Sequence, residues 1–132
     1  MRKGIIIALA AIATLAFGVS SASAAKHYST HILVADFTGT NEDGLLDGAL
    51  GTNRKCLGPR LMQVSKKTDS GFSLVDQDFS SAHGAWAFRG NFSPFPAHLK
   101  VEVAKAKLRN RRGEVVAVCE PDVVRFALQP VE

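Results

Sequence analysis

The chain predicts an all-β fold, a small β-sandwich closed by one disulfide and exported behind a signal peptide. Three observations carry this. Short apolar runs with period-two alternation are separated by Gly, Pro, Asn, Asp and Ser clusters about every 8 to 15 residues. No segment after the first 24 residues sustains a helical period. The only two cysteines, Cys56 and Cys119, lie far apart in a chain that otherwise reads as secreted.

Export is read from the N-terminus. Met1-Arg2-Lys3 is a cationic start, Gly4 to Val19 is a 16-residue uncharged stretch, and Ala22-Ser23-Ala24 fits a small-x-small cleavage site. The apolar run is short for a bilayer span. Residues 1–24 are therefore expected to be a signal peptide and 25–132 one secreted, extracellular domain without a membrane anchor after cleavage. Removing 1–24 leaves 108 of the 132 residues, enough for a single core. The net charge of +4 includes Arg2 and Lys3, so the mature charge is +2. That balance does not imply nucleic-acid binding.

Two cysteines permit one pairing. A Cys56–Cys119 bridge closes a loop that stabilises the fold by roughly 4 kcal/mol in the chain-entropy model. Two free thiols are the alternative, and zinc is disfavoured because the pair lacks ligand spacing.

The elements follow in order. Ser29–Phe37 is β-branched and apolar enough for a strand, whereas His27 is expected in a disordered lead-in. Gly39–Gly44 is a turn cluster. Leu46, Gly48 and Leu50 share one side of the next strand. Arg54 and Lys55 sit in a polar loop running into Cys56, and Arg60 leads into Leu61–Lys67, with Met62 and Val64 on one face. Thr68–Gly71 is a hairpin turn, and Phe72–Gln77 suits an edge strand. Gly84 is expected to supply positive φ in the turn Ser80–Gly84. Trp86 and Phe88 then share an inward face.

Phe92 and Phe95, set among Pro94 and Pro96, form either an exposed apolar tip or a loop folded over the sandwich end. His98–Leu108 reads as the longest strand, but its pattern breaks. Leu99, Val101 and Val103 share a face that would continue into Lys105, Lys107, Arg109 and Arg111. Either the strand runs past the sandwich edge, or a bulge near Ala104 turns Ala104, Ala106 and Leu108 inward. Asn110–Gly113 is a hairpin turn, and Val115–Cys119 and Val123–Leu128 are the last strands.

The order of these features resembles the small secreted bacterial domains with an immunoglobulin-like or transthyretin-like β-sandwich, akin to the carboxypeptidase regulatory domain. The pattern runs through Thr30–Asp36, the stretch 48–56 ending in Cys56, then Arg60, Leu61 and Val64. It continues with the turn 80–84 before Trp86, then Leu99, Val101, Val103 and Cys119. It covers nearly all the mature chain and implies a seven- to eight-stranded sandwich in an extracellular setting, with no catalytic residues. The segment Lys105–Val116 departs from it by being longer and more basic.

Other chemistry is thinly represented. His27, His31, His83 and His98 have no nucleophile elbow or spaced partner, and His83 reads as a turn residue before Gly84. There is no His-x-His or His-Glu-x-x-His motif. Asn41-Glu42-Asp43-Gly44 with Asp47 lacks the alternating ligands of a helical calcium loop and reads as a solvated turn. No metal or cofactor is expected. Asn91-Phe92-Ser93 matches a glycosylation acceptor, weakened by Pro94.

The densest chemical feature is cationic. Lys100, Lys105, Lys107, Arg109, Arg111 and Arg112 are six cations in thirteen residues. On a hairpin tip, Lys105, Lys107, Arg109, Arg111 and Arg112 form a patch suited to cell-wall or other extracellular anionic polymers. The plainer reading is a solvated edge that lysines protect from aggregation. The functional expectation is a non-enzymatic secreted structural or interaction module, with polyanion binding through 105–112 as the alternative.

Overall fold

The period-two patterning becomes ten strands in a computed structural model, which describes residues 24–130. The expected signal peptide and its expected cleavage site thus lie outside the described residues, save Ala24. The strands are β1 (Lys26–Tyr28), β2 (Thr30–Gly39), β3 (Gly44–Thr52), β4 (Leu61–Thr68), β5 (Gly71–Phe79), β6 (Ala85–Gly90), β7 (Ala97–Val103), β8 (Ala106–Arg109), β9 (Val115–Cys119) and β10 (Asp122–Leu128). A 3-10 turn, Arg54–Cys56, precedes β4.

They form three sheets rather than two. One has the order β10-β7-β4-β5, the second β2-β3-β6, and a small third β1-β9-β8. The first two share a core. Leu46, Leu50, Trp86 and Phe88 from one meet Met62, Val64, Leu99, Val101 and Val103 from the other, all buried. Alternation dictates this, because Gln63 and Glu102, the next residues along, point away. Gly48 makes room for the largest of these side chains. A Cβ there would lie 2.4 Å from the Trp86 ring and 2.0 Å from the Leu33 carbonyl oxygen. The Trp86 Nε1 donates to the Ala49 carbonyl at 3.1 Å.

Both seams between the large sheets use a carboxylate. Asp122 Oδ2 accepts from the Ile32 N–H at 2.9 Å, linking β10 to β2, and Asp76 Oδ2 accepts from the Arg89 N–H at 3.1 Å, linking β5 to β6. Each occupies an edge donor that would otherwise be free to pair with another chain. The Phe92–Pro96 loop folds over one end: Phe92 is fully buried, and Phe37 packs against both Phe92 and Phe95 at centroid distances of 5.5 and 5.6 Å. Lys66 Nζ holds the loop by donating to the Ser93 carbonyl at 2.6 Å. Of the two expectations for these aromatics, the exposed tip is excluded.

Three sequence expectations need correction. The strand expected over His98–Leu108 is two strands in different sheets. The chain leaves its sheet after Val103, crosses at Ala104 and Lys105, and enters β8, so neither an overrun nor a bulge is needed. Ala106 and Leu108 become half-buried opposite Cys119 and Ala117, whereas Ala104 stays exposed. His27 lies not in a disordered lead-in but in β1, which pairs parallel with β9. Strand number rises to ten because β1 and β8 are short additions that form the third sheet. Gly84 takes φ +86° as expected.

Candidate functional site

Cys56 and Cys119 are bonded, with Cα atoms 5.6 Å apart. The bridge pins the 3-10 turn against the last residue of β9. Beside it lies Arg60, only 3% exposed. Its Nη1 donates to the Cys56 carbonyl at 2.9 Å and to Thr30 Oγ1 at 3.3 Å. Its Nη2 donates to the Ala104 carbonyl at 2.8 Å and the Glu120 carbonyl at 3.0 Å. One planar guanidinium thus joins the 3-10 turn, β2, the β7–β8 crossing and the turn after β9. Burial pushes its pKa down, and carbonyl dipoles, not a carboxylate, offset the charge. Its Nε is buried with no partner among the described residues.

The third sheet is held on the far side by β1. His27 Nδ1 donates to Glu120 Oε2, and the Glu120 N–H donates to the Tyr28 carbonyl at 2.9 Å. The His27 hydrogen bond is the main cause of a Glu120 pKa below its ordinary value. The charges of His27 and Lys105 act in the same direction, against partial desolvation.

The β8–β9 hairpin rises from this base. Asn110 builds its turn: Oδ1 accepts from the N–H groups of Arg112 and Glu114 at 2.9 and 3.0 Å, and Nδ2 donates to Glu114 Oε1 at 2.9 Å. Gly113 takes φ +82°, where side chains are strained. Lys105, Lys107, Arg109, Arg111 and Arg112 are all exposed, and the turn brings them together on one hairpin. Arg109 Nη1 donates to the Gly113 carbonyl at 2.9 Å. None of the five lies within 4.0 Å of a carboxylate oxygen among the described residues.

The histidines are dispersed. His27 is in the third sheet and His31 on β2, while His83 sits in the turn whose Ser81 Oγ accepts from its N–H at 3.2 Å. His98 borders a hollow of about 450 Å³ with Lys67, Phe72 and Arg125, and the hollow's lining includes no acid. Asp43 is engaged with Arg89 Nη1 at 3.2 Å. No cluster of three or more His, Cys, Asp or Glu could hold a metal among the described residues. A groove of about 680 Å³ lies where β2 meets the end of β10 and is lined chiefly by Val34, Phe37, Phe95, Phe126 and Leu128. Exposed apolar side chains also gather on the outer face of the four-stranded sheet, at Leu61, Phe72, Leu74, Phe79 and Val123.

Arg60 stood in the sequence only as one position of the sandwich-like pattern and the lead into an apolar strand, with no sign of its burial. Arg54 and Lys55 read as part of a polar loop running into Cys56 and Lys26 had no assignment; the pairing of β1 with β9 and the disulfide place them near the hairpin. No family model, curated protein or solved structure matches the chain. Among the described residues no helix is long and apolar enough to cross a membrane.

Proposed function

We propose that the chain is a non-catalytic secreted module with a β-sandwich of the immunoglobulin-like or transthyretin-like kind, acting outside the cell by binding rather than by chemistry. The buried disulfide suits an oxidising compartment, and the scattered histidines favour binding over catalysis. The observation that carries the reading is the hairpin itself. Five exposed cations stand on a turn organised by Asn110 and Gly113, above a base fastened by Arg60 and Cys56–Cys119. A solvated edge needs a lysine or two; this arrangement is more elaborate.

The contact we assign is therefore to an anionic extracellular polymer, through Lys105, Lys107, Arg109, Arg111 and Arg112. A pull-down on cell-envelope material at rising salt tests it, since exposed charges are screened over about 10 Å at 0.1 M. Mature protein is expected to be captured at low salt and released at high salt. Changing Arg109, Arg111 and Arg112 to Ser should abolish capture. Capture indifferent to that change would move the contact elsewhere on the module. Failure of the unaltered protein to bind would remove the interaction reading itself.

A further inference from the structure

We infer that the hairpin is one part of a larger cationic end of the molecule, drawn from several chain segments, and that this end takes a linear acidic polysaccharide. The inference rests on the reading of the hairpin as a binding element, and it adds three residues and a partner class.

The third sheet and the disulfide assemble the site. Lys26 of β1 and Leu108 of β8 both pair with Ala117, so β1 and β8 flank the same strand. Cys119 pairs with Ala106 and is bonded to Cys56, which places Arg54 and Lys55 beside the foot of the hairpin. Lys26, Arg54 and Lys55 are exposed. With the five hairpin cations they make eight, against only Glu114 and Glu120 in the same segments, a net +6. Both carboxylates are already engaged, by Asn110 and His27. The other described residues carry six cations and nine carboxylates, a net −3. A modest overall charge thus conceals a strongly polarised molecule, whose cationic end attracts and orients polyanions.

Its layout decides among polyanions. The cations are spread along a strand, a turn and a neighbouring strand edge instead of converging on one cradle, which suits a chain of repeated charges over a single phosphate. Lys107 and Arg109 are alternate strand residues on one face, about 6.7 Å apart along the backbone, so a polymer lying along the strand meets more than one cation. The tip Asn110-Arg111-Arg112-Gly113 offers no apolar side chain to insert into a bilayer. The only Phe, Tyr or Trp in these segments is the half-buried Tyr28, so there is no platform for stacking bases.

The test uses the mature chain with polygalacturonate and heparin as probes, and phosphatidylglycerol vesicles and duplex DNA as competitors for the assignment. Three variants are compared, each checked by circular dichroism and thermal unfolding. The hairpin variant is Lys107→Ser with Arg111→Ser and Arg112→Ser, which spares the Arg109 bond to Gly113. The flank variant is Lys26→Ser with Arg54→Ser and Lys55→Ser. The control is Lys67→Ser with Arg125→Ser, two exposed cations of the large sheet. Binding to both polysaccharides that weakens with salt, and falls roughly tenfold or more in the hairpin and flank variants but not in the control, is the expected result. A flank variant that binds like the unaltered protein, while the hairpin variant does not, overturns the composite site and leaves the hairpin reading standing. A hairpin variant that binds normally overturns both. Tighter binding to vesicles or DNA than to either polysaccharide overturns the partner class, and no binding to any probe overturns the whole proposal.

Discussion

Arg60 holds a charge inside the protein with no carboxylate to answer it. What answers it is geometry: three backbone carbonyls and a hydroxyl converge on the two terminal nitrogens at 2.8 to 3.3 Å. Truncation would leave the Thr30 hydroxyl and the Cys56 carbonyl buried and unpaired, the expensive half of a broken hydrogen bond, with the half-buried Ala104 and Glu120 carbonyls also losing a partner. Arg60→Ala is expected to lower the unfolding free energy by about 2–6 kcal/mol, two buried acceptors left unpaired at about 1–3 kcal/mol each. Urea denaturation measures it, and a loss below about 1 kcal/mol would mean the guanidinium is a bystander. Gly48 gives a second test at this scale. A methyl group there meets the Leu33 carbonyl at 2.0 Å and the Trp86 ring at 2.4 Å. Gly48→Ala is expected to cost about 1–3 kcal/mol through overpacking and to shift Trp86 fluorescence. An unchanged midpoint and spectrum would contradict the packing described.

At the scale of elements, β1 is three residues long and depends on few contacts beyond its pairing with β9. The His27–Glu120 bond is one of them, and it gives this strand a pH dependence of definite sign. Glu120 has a folded-state pKa below its ordinary value, so the folded state favours the carboxylate. Its contribution is fully present above the ordinary carboxylate range and is lost as pH falls through the depressed value. NMR titration should find Glu120 protonating below the usual range in the unaltered protein and at a higher pH in His27→Ala. Identical titrations would show that the pair does not form.

The same scale shows what the sequence could and could not reveal. Strand β4 and the first half of the expected 98–108 strand were legible because core residues alternate with polar ones, whereas β3 and β6 alternate more weakly, large apolar Leu46, Leu50, Trp86 and Phe88 against small Ala49, Ala85 and Ala87. The cationic continuation past Val103 marked a break, since a core face cannot become a row of lysines. What it could not reveal was that Ala104 and Lys105 carry the chain into another sheet, because that depends on Arg60 and Leu61, more than forty residues earlier, bonding Ala104. β1 was missed for a related reason. Lys26-His27-Tyr28 has no alternation to read, and its order comes from β9 and Glu120, about ninety residues away.

For the molecule as a whole, one disulfide joins the third sheet to the turn before β4. Its loop spans 63 residues of sequence separation, so replacing both cysteines by Ala should cost about 4 kcal/mol, readable as a lower denaturation midpoint. Hydrogen exchange on that variant is expected to accelerate first in β8, β9 and the 54–57 turn, with β4 and β7 still protected. Uniform loss across all sheets would mean the third sheet is not a separable unit. The candidate site became visible at this same scale. A net +2 gave no hint of polarisation, because the cations of 26, 54–55 and 105–112 are scattered in sequence and gathered only by pairing and the bridge.

The proposed contact is this cationic end, standing on a fastened third sheet. Two-dimensional NMR of the mature chain titrated with polygalacturonate tests that most directly. Amide shifts concentrated at Lys26, Arg54, Lys55 and 105–112, fading as salt is added, are expected. Shifts centred instead on Phe72, Leu74 and Phe79 of the outer sheet face, or none at saturating polymer, would contradict it.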